Sequence, residues 1–174
     1  MANEFTTLCI DSLRPKLEES YPNYAWVTER SLNIENARIS IDISGENTKS
    51  TILIEFEMHR RRPDYNAGKL VKMEPEKETL IIHIFSPFYE VGTYHKRAKF
   101  CEEIMSEQFN KKKNITYRTF RWNLDGLHTV RKACQVLPDS KKEFPSDKDI
   151  DEAIIMLTKD LKEIIAKWER SQLV

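Results

Sequence analysis

Residues 51–72 read TILIEFEMHRRRPDYNAGKLVK, and the rest of the chain is organised around them. The first part, 52–58, predicts a strand. Ile52, Ile54 and Phe56 fall on one face, and Leu53, Glu55 and Glu57 on the other, because successive strand side chains alternate. Two carboxylates two residues apart on one face repel each other, and a sheet gains nothing from them unless a cation or a solvent channel lies alongside. Arg60, Arg61 and Arg62 follow. Pro63-Asp64 then reads as a turn or helix start, and 65–72 as a short helical run.

Upstream of this stretch, residues 38–43 alternate, with Ile39, Ile41 and Ile43 opposite Arg38, Ser40 and Asp42. The turn residues Gly45-Glu46-Asn47-Thr48 predict that 52–58 returns antiparallel to this strand as a hairpin. A tight turn at Glu46-Asn47 would hold Asp42 about four residues from Glu55, roughly 13 Å away. A looser loop between Gly45 and Thr51 would set the two opposite each other. Residues 24–30 predict a further strand, and part of 4–20 a helix. Pro15 either kinks that helix or lies in the first turn of one starting near Ser12.

Downstream, 79–85 predicts a continuous apolar strand closed by Ser86-Pro87. Tyr94, Ala98, Cys101 and Met105 mark one face of a helix over about 93–109. Residues 115–122 alternate as a strand, and 127–136 suggests a short helix before a polar loop between Pro138 and Pro145. Ser146 with Asp149 resembles a capping box, opening a helix with the stripe Ile150, Ile154, Leu157, Leu161, Ile164 and Trp168. This order predicts an α/β (α+β) arrangement: a mixed central sheet of about five strands flanked by helices, with a long C-terminal helix.

The chain of 174 residues suits one domain with a single sizeable core. A formal net charge of zero supplies no global field toward nucleic acid, so any such binding has to use local patches. Cys9, Cys101 and Cys134 are widely spaced and form no Cys-x-x-Cys pair, which argues for a reducing compartment and against a structural zinc site or a disulfide framework. The polar, acidic start lacks an apolar signal core, and no apolar run approaches membrane-spanning length. The expectation is a cytoplasmic protein without a membrane partner.

An Asp on the second strand and Glu55-Phe56-Glu57 on the third, within this element order, resemble the PD-(D/E)xK nuclease superfamily in its Glu-x-Glu form. The run Glu55-x-Glu57-x-x-Arg60, then Asn66-x-x-Lys69-Leu70, is similar to a small set of bacterial nuclease-like proteins. The resemblance implies a restriction-endonuclease-like core over about residues 5–122, with a helical extension over 123–174. It also implies Mg²⁺-dependent (or Mn²⁺-dependent) hydrolysis of DNA phosphodiesters. Asp42, Glu55 and Glu57 would be metal ligands and catalytic groups, joined by the Phe56 carbonyl. The lysine of the commoner pattern, two residues after the glutamate, is absent, and the resemblance implies that Lys69 takes its place at the phosphate. Arg60, Arg61, Arg62 and Lys72 would hold the nucleic-acid backbone.

Plainer readings account for several of these residues. Glu55 and Glu57 could form a solvated strand face paired with Arg60–Arg62, giving a catalytically degenerate fold that binds protein or nucleic acid, as a homodimer or with a protein partner. Lys111-Lys112-Lys113 reads as a solvated helix end favoured by the dipole, and His83 as a satisfied core residue. Arg118, Arg121, Tyr117 and Trp122 mix basic and aromatic groups as base-stacking surfaces do, but an ordinary packed strand has the same composition.

Overall fold

Alternation and turn chemistry produce the sheet, and helical stripes cover it. The structure, a computed structural model, describes residues 4–34, 37–58, 63, 68–90, 92–135 and 145–173. The elements run α1 (Glu4–Ser20), β1 (Ala25–Ile34), β2 (Ala37–Glu46), β3 (Ser50–Glu57), β4 (Glu78–Phe85), a 3₁₀ turn (Pro87–Glu90), α2 (Gly92–Phe109), β5 (Ile115–Arg121), α3 (His128–Gln135) and α4 (Asp147–Ser171). Among the described residues, no helix is long and apolar enough to cross a membrane.

The five-stranded sheet has the order β1-β2-β3-β4-β5. Strand β2 is antiparallel to both neighbours, while β3, β4 and β5 are mutually parallel, so β2 alone runs against the rest. The β2–β3 hairpin closes through the looser loop: Glu46 pairs with Thr51, and Asn47 N–H donates to the Ser50 carbonyl at 3.0 Å. The Asn47 side chain sets this turn, its Oδ1 accepting from the N–H groups of Lys49 and Ser50 at 2.8 Å each.

Two apolar cores lie on the two faces of the sheet. The first gathers Ile52, Ile54, Phe56, Leu80, Ile82 and Ile84 against α1, α3 and α4. The second gathers Leu53, Ile81 and Phe85 against α2, with Leu70 from a helical turn at 68–70. In α1 the buried Phe5, Cys9, Ile10, Leu13 and Leu17 recur at helical spacing. The helix starts at Glu4, so Pro15 is interior to it, on the exposed side where water can take the carbonyl its ring leaves unbonded. Ser146 Oγ caps α4, accepting from Asp149 N–H at 3.2 Å, while the Asp149 carboxylate accepts from Thr129 Oγ1 at 2.9 Å and so ties α4 to α3. The buried stripe of α4 includes Ile165, whereas Ile164 is only half-buried: 3.6 residues per turn favours the former after Leu161 and Thr158.

Strict alternation does not hold along β2. Ile43 packs in the first core, but Ile39 and Ile41 pack in the second. The β1–β2 ladder is continuous from Ala25↔Glu46 to Ile34↔Ala37 except at the facing positions Glu29 and Asp42, and Glu29 has φ 50°. The register is the same on both sides of this gap, and the change of core between Ile43 and Ile41 falls at the same position.

Candidate functional site

The parallel strands β3, β4 and β5 present their alternate residues to the α2 face in register. Glu55 lies beside His83 and His83 beside Thr119; Glu57 lies beside Phe85 and Phe85 beside Arg121. The carboxyl ends of parallel strands are where open α/β sheets usually bind ligands. Their ends are tied together here, because Ser86 N–H donates to the Glu57 carbonyl at 3.0 Å and Trp122 N–H to the Phe85 carbonyl at 2.9 Å.

Glu55 is 4% exposed and Glu57 is fully buried. The acidic pair is therefore not a solvated strand face. A carboxylate at that depth has to be compensated by partners or by a cation, since burying a bare charge is prohibitive. Asp42 is half-buried at the end of the β2–β3 ladder. The last bridged pair is Ile43↔Ile54, which makes Asp42 and Glu55 the next facing positions. There the strands stop exchanging main-chain bonds, and Asp42 Oδ2 accepts from Phe56 N–H at 2.8 Å. That bond holds the Asp42 carboxylate against the peptide between the two glutamates. Among the described residues, no three or more His, Cys, Asp and Glu side chains are grouped so as to hold a metal ion.

Lys69 is half-buried in the helical turn at 68–70, and Lys72 is exposed just beyond it. Buried Leu70 packs in the same core as Leu53 and Phe85, so this turn sits over the face that carries the glutamates. Arg60, Arg61 and Arg62, with Asp64, Tyr65 and Asn66, lie outside the described residues.

Two features of the site are not apparent from sequence periodicity. His83, 1% exposed, is satisfied on one side only. Its Nδ1 is 2.9 Å from the Tyr117 hydroxyl, and its Nε2 is 3.6 Å from Glu57 Oε1. Burial pushes the Tyr117 phenol well above its ordinary range, with Cys101, Glu102 and Glu57 adding to the rise, so it remains an O–H group. Arg121 donates to Glu102 of α2 at 2.9 Å and lies 4.8 Å over the Phe85 ring, while its buried Nη1 has no hydrogen-bond partner among the described residues. The signal for both was the parity of His83, Tyr117 and Arg121, which becomes informative once β3, β4 and β5 are known to be parallel neighbours.

Other sequence candidates are ordinary. Trp122 and Tyr117 are buried, so no base-stacking surface forms on β5. Lys111 pairs with Glu107 at 2.9 Å on the surface, and Lys112 lies 3.6 Å from Glu74. A groove of about 640 Å³ between α1 and α4, lined by Lys16, Glu19, Ile155, Lys159 and Lys162, lies on the opposite side of the sheet from the glutamates. Set against known protein families, curated proteins and solved structures, the chain finds no match in any of the three.

Proposed function

We propose that this chain is a metal-dependent DNA phosphodiesterase of the PD-(D/E)xK type in its Glu-x-Glu form. The observation that carries the reading is the buried Glu55–Glu57 pair at the carboxyl ends of parallel strands, with Asp42 bonded to the peptide between them. An unforced core would place apolar side chains at both glutamate positions. Hard oxygen donors of this kind suit Mg²⁺ or Mn²⁺. Asp42, Glu55 and Glu57 would hold the ion, with the Phe56 carbonyl. Bound there, a divalent ion supplies an activated water and neutralises charge on the phosphate. Lys69, on the turn that packs over this face, would offset phosphate charge, and Arg60, Arg61, Arg62 and Lys72 would grip the strand backbone. The sheet is mixed and flanked by helices, and a restriction-endonuclease-like core is part of the same proposal.

A second reading, a degenerate fold that binds without cutting, is favoured by one observation. Glu57 is fully buried with His83 3.6 Å away, and no larger group of ligand side chains surrounds it among the described residues. Calorimetric titration with Mn²⁺ and incubation of plasmid DNA with Mg²⁺ separate the two. The nuclease reading expects both metal uptake and cleavage, each lost in Glu55→Gln. Absence of carboxylate-dependent metal binding in the parent would overturn it in favour of the binding module.

A further inference from the structure

Helix α2, which covers the glutamate-bearing face of the sheet, sorts its charges along its length. Residues 92–100 read GTYHKRAKF, with basic side chains and no acid, while 101–109 read CEEIMSEQF, with glutamates and no base. This order works against the helix. Carboxylates are favoured near the amino end of the macrodipole and cations near the carboxyl end, yet the first turn carries no acid and the last no base. Lys96 and Lys99 repel each other at a spacing of three residues. Lys99 and Glu103 lie 4.0 Å apart, in the less favourable direction for a pair four residues apart. Lys96 has no carboxylate three or four residues away on either side.

The same stretch faces water. His95, Lys96, Arg97 and Lys99 are exposed, and Phe100 beside them is 61% exposed. A single exposed apolar side chain needs no explanation by itself. Phe100, however, stands one helical turn from Lys96 and Arg97, and the Arg97 guanidinium lies 5.8 Å over the Tyr94 ring. Cations and aromatic rings therefore alternate along this surface. The helix follows the carboxyl end of β4 through the 3₁₀ turn, with the Tyr94 ring 4.3 Å from that of Phe88, and Glu102 is tied to Arg121 at the end of β5. Lys96 lies about 9 Å nearer the amino end of the helix than that tie, at roughly 1.5 Å per residue. The basic half of α2 thus stands at the strand ends where Glu55 and Glu57 lie.

We infer that the first half of α2 is a contact surface for single-stranded nucleic acid, on which Lys96 and Lys99 meet backbone phosphates and Phe100 stacks on an unpaired base. Bases inside a duplex present no free face to such a ring, whereas a single strand offers phosphates and base faces together. An anionic membrane fits less well, because the apolar stripe Ala98, Cys101, Met105 and Phe109 is already buried against the sheet. The inference names the form of strand brought to the site proposed above and rests on that reading for its role in cleavage, but the contact itself needs no metal.

The test uses the full chain in chelator, with anisotropy titration of a fluorescein-labelled oligothymidylate and of a duplex of the same length. The single strand is expected to bind more tightly than the duplex. Phe100→Ala is expected to weaken the single strand by about 5- to 150-fold and to leave duplex affinity unchanged. Lys96→Gln combined with Lys99→Gln is expected to weaken binding and to reduce the slope of log K against log salt by about 1.4, the share of two phosphates. Lys96→Glu is expected to abolish binding while melting no lower than the parent, since this lysine does nothing for the helix. Parental affinity in Phe100→Ala or in the lysine pair overturns the inference, as does a parent that prefers duplex or a Lys96→Glu protein that melts lower. A parent that ignores the oligonucleotide but binds polyglutamate, or vesicles containing phosphatidylserine, overturns it in favour of an acidic protein or a membrane. A parent that binds the strand in this way but takes up no Mn²⁺ and cuts nothing upholds the surface and removes only the phosphodiesterase reading. A parent that cuts, with the variants binding as it does, removes the surface alone.

Discussion

On the side of the sheet facing α1 and α4, β3 and β4 contribute Ile52, Ile54, Phe56, Leu80, Ile82 and Ile84. On the side facing α2, the same two strands contribute Leu53, Glu55, Glu57, Ile81, His83 and Phe85. Backbone, strand length and burial are shared, and only the alternate side chains differ. Apolar burial stabilises by about 25 cal/mol per Å², whereas each buried polar group has to recover its hydration from a partner. The first face therefore supplies the fold's stability. The second gives some of it up toward the strand ends, where β2 and β3 part and Asp42 takes over the Phe56 N–H. Ordinary selection for folding would not place three ionisable or aromatic-polar groups there.

Substitutions on each face test this contrast. Ile82→Ala, in the middle of the apolar face, is expected to destabilise the protein by about 2–5 kcal/mol in urea titration while the folded fraction keeps its Mn²⁺ affinity. A loss under about 1 kcal/mol would mean that the apolar face is not the store of stability. Asp42→Asn should behave in the opposite way. The amide oxygen can still accept the Phe56 N–H, so stability should change by less than about 1 kcal/mol. Plasmid cleavage should fall by at least about 100-fold, since an amide carries no charge for a divalent ion. An Asp42→Asn protein that cuts at parental rate would remove Asp42 from the site.

Gly45 probes the hinge end of the same hairpin. A Cβ there would lie 2.8 Å from two Trp26 ring carbons, so the indole has to move. Gly45→Ala is expected to cost about 1–3 kcal/mol and to shift tryptophan fluorescence; unchanged melting and emission would show that the ring yields freely.

The smallest expected effect is at Glu46, where the contrast is with an ion pair near water. Hydrogen bonding to Lys77, and then to Arg30, holds the Glu46 carboxyl below its ordinary value of 4.5. A carboxylate depressed in the folded state adds stability above its unfolded value, and that stability is lost as pH falls through the folded one. With the side chain 35% exposed, Glu46→Gln should cost only about 0.2–1 kcal/mol at pH 7. The difference from the parent should fade as pH drops below 4.5 and should shrink in high salt. A pH-independent difference would point to packing rather than charge.

How much of the molecule was legible varied with the kind of signal. The period-two runs around Ile54 and Tyr117, the continuous apolar run around Ile82 and the helical stripe from Ile150 to Trp168 were readable directly, because burial imposes its pattern on the sequence. The direction of β4 was not, since a continuous apolar run fits a parallel or an antiparallel neighbour alike. Ile39, Ile41 and Ile43 share a parity that alternation assigns to one face, yet the structure divides them between two cores at the point where the ladder to β1 is interrupted. His83 is the instructive case. Its strand position was evident, but its neighbours were not, because Glu57 and Tyr117 lie on strands separated from it in sequence by a helical turn and by α2.

The sequence alone determined which side chains alternate, where the turns fall and that two acids share one strand face, because these follow from local geometry over a few residues. Tertiary structure decided that Glu55 and Glu57 are buried rather than solvated, that Asp42 reaches the peptide between them, and that His83 stands between Glu57 and Tyr117. Those relations depend on strand order and register across long sequence separations, and hydrogen bonding between strands settles them only once the sheet is assembled.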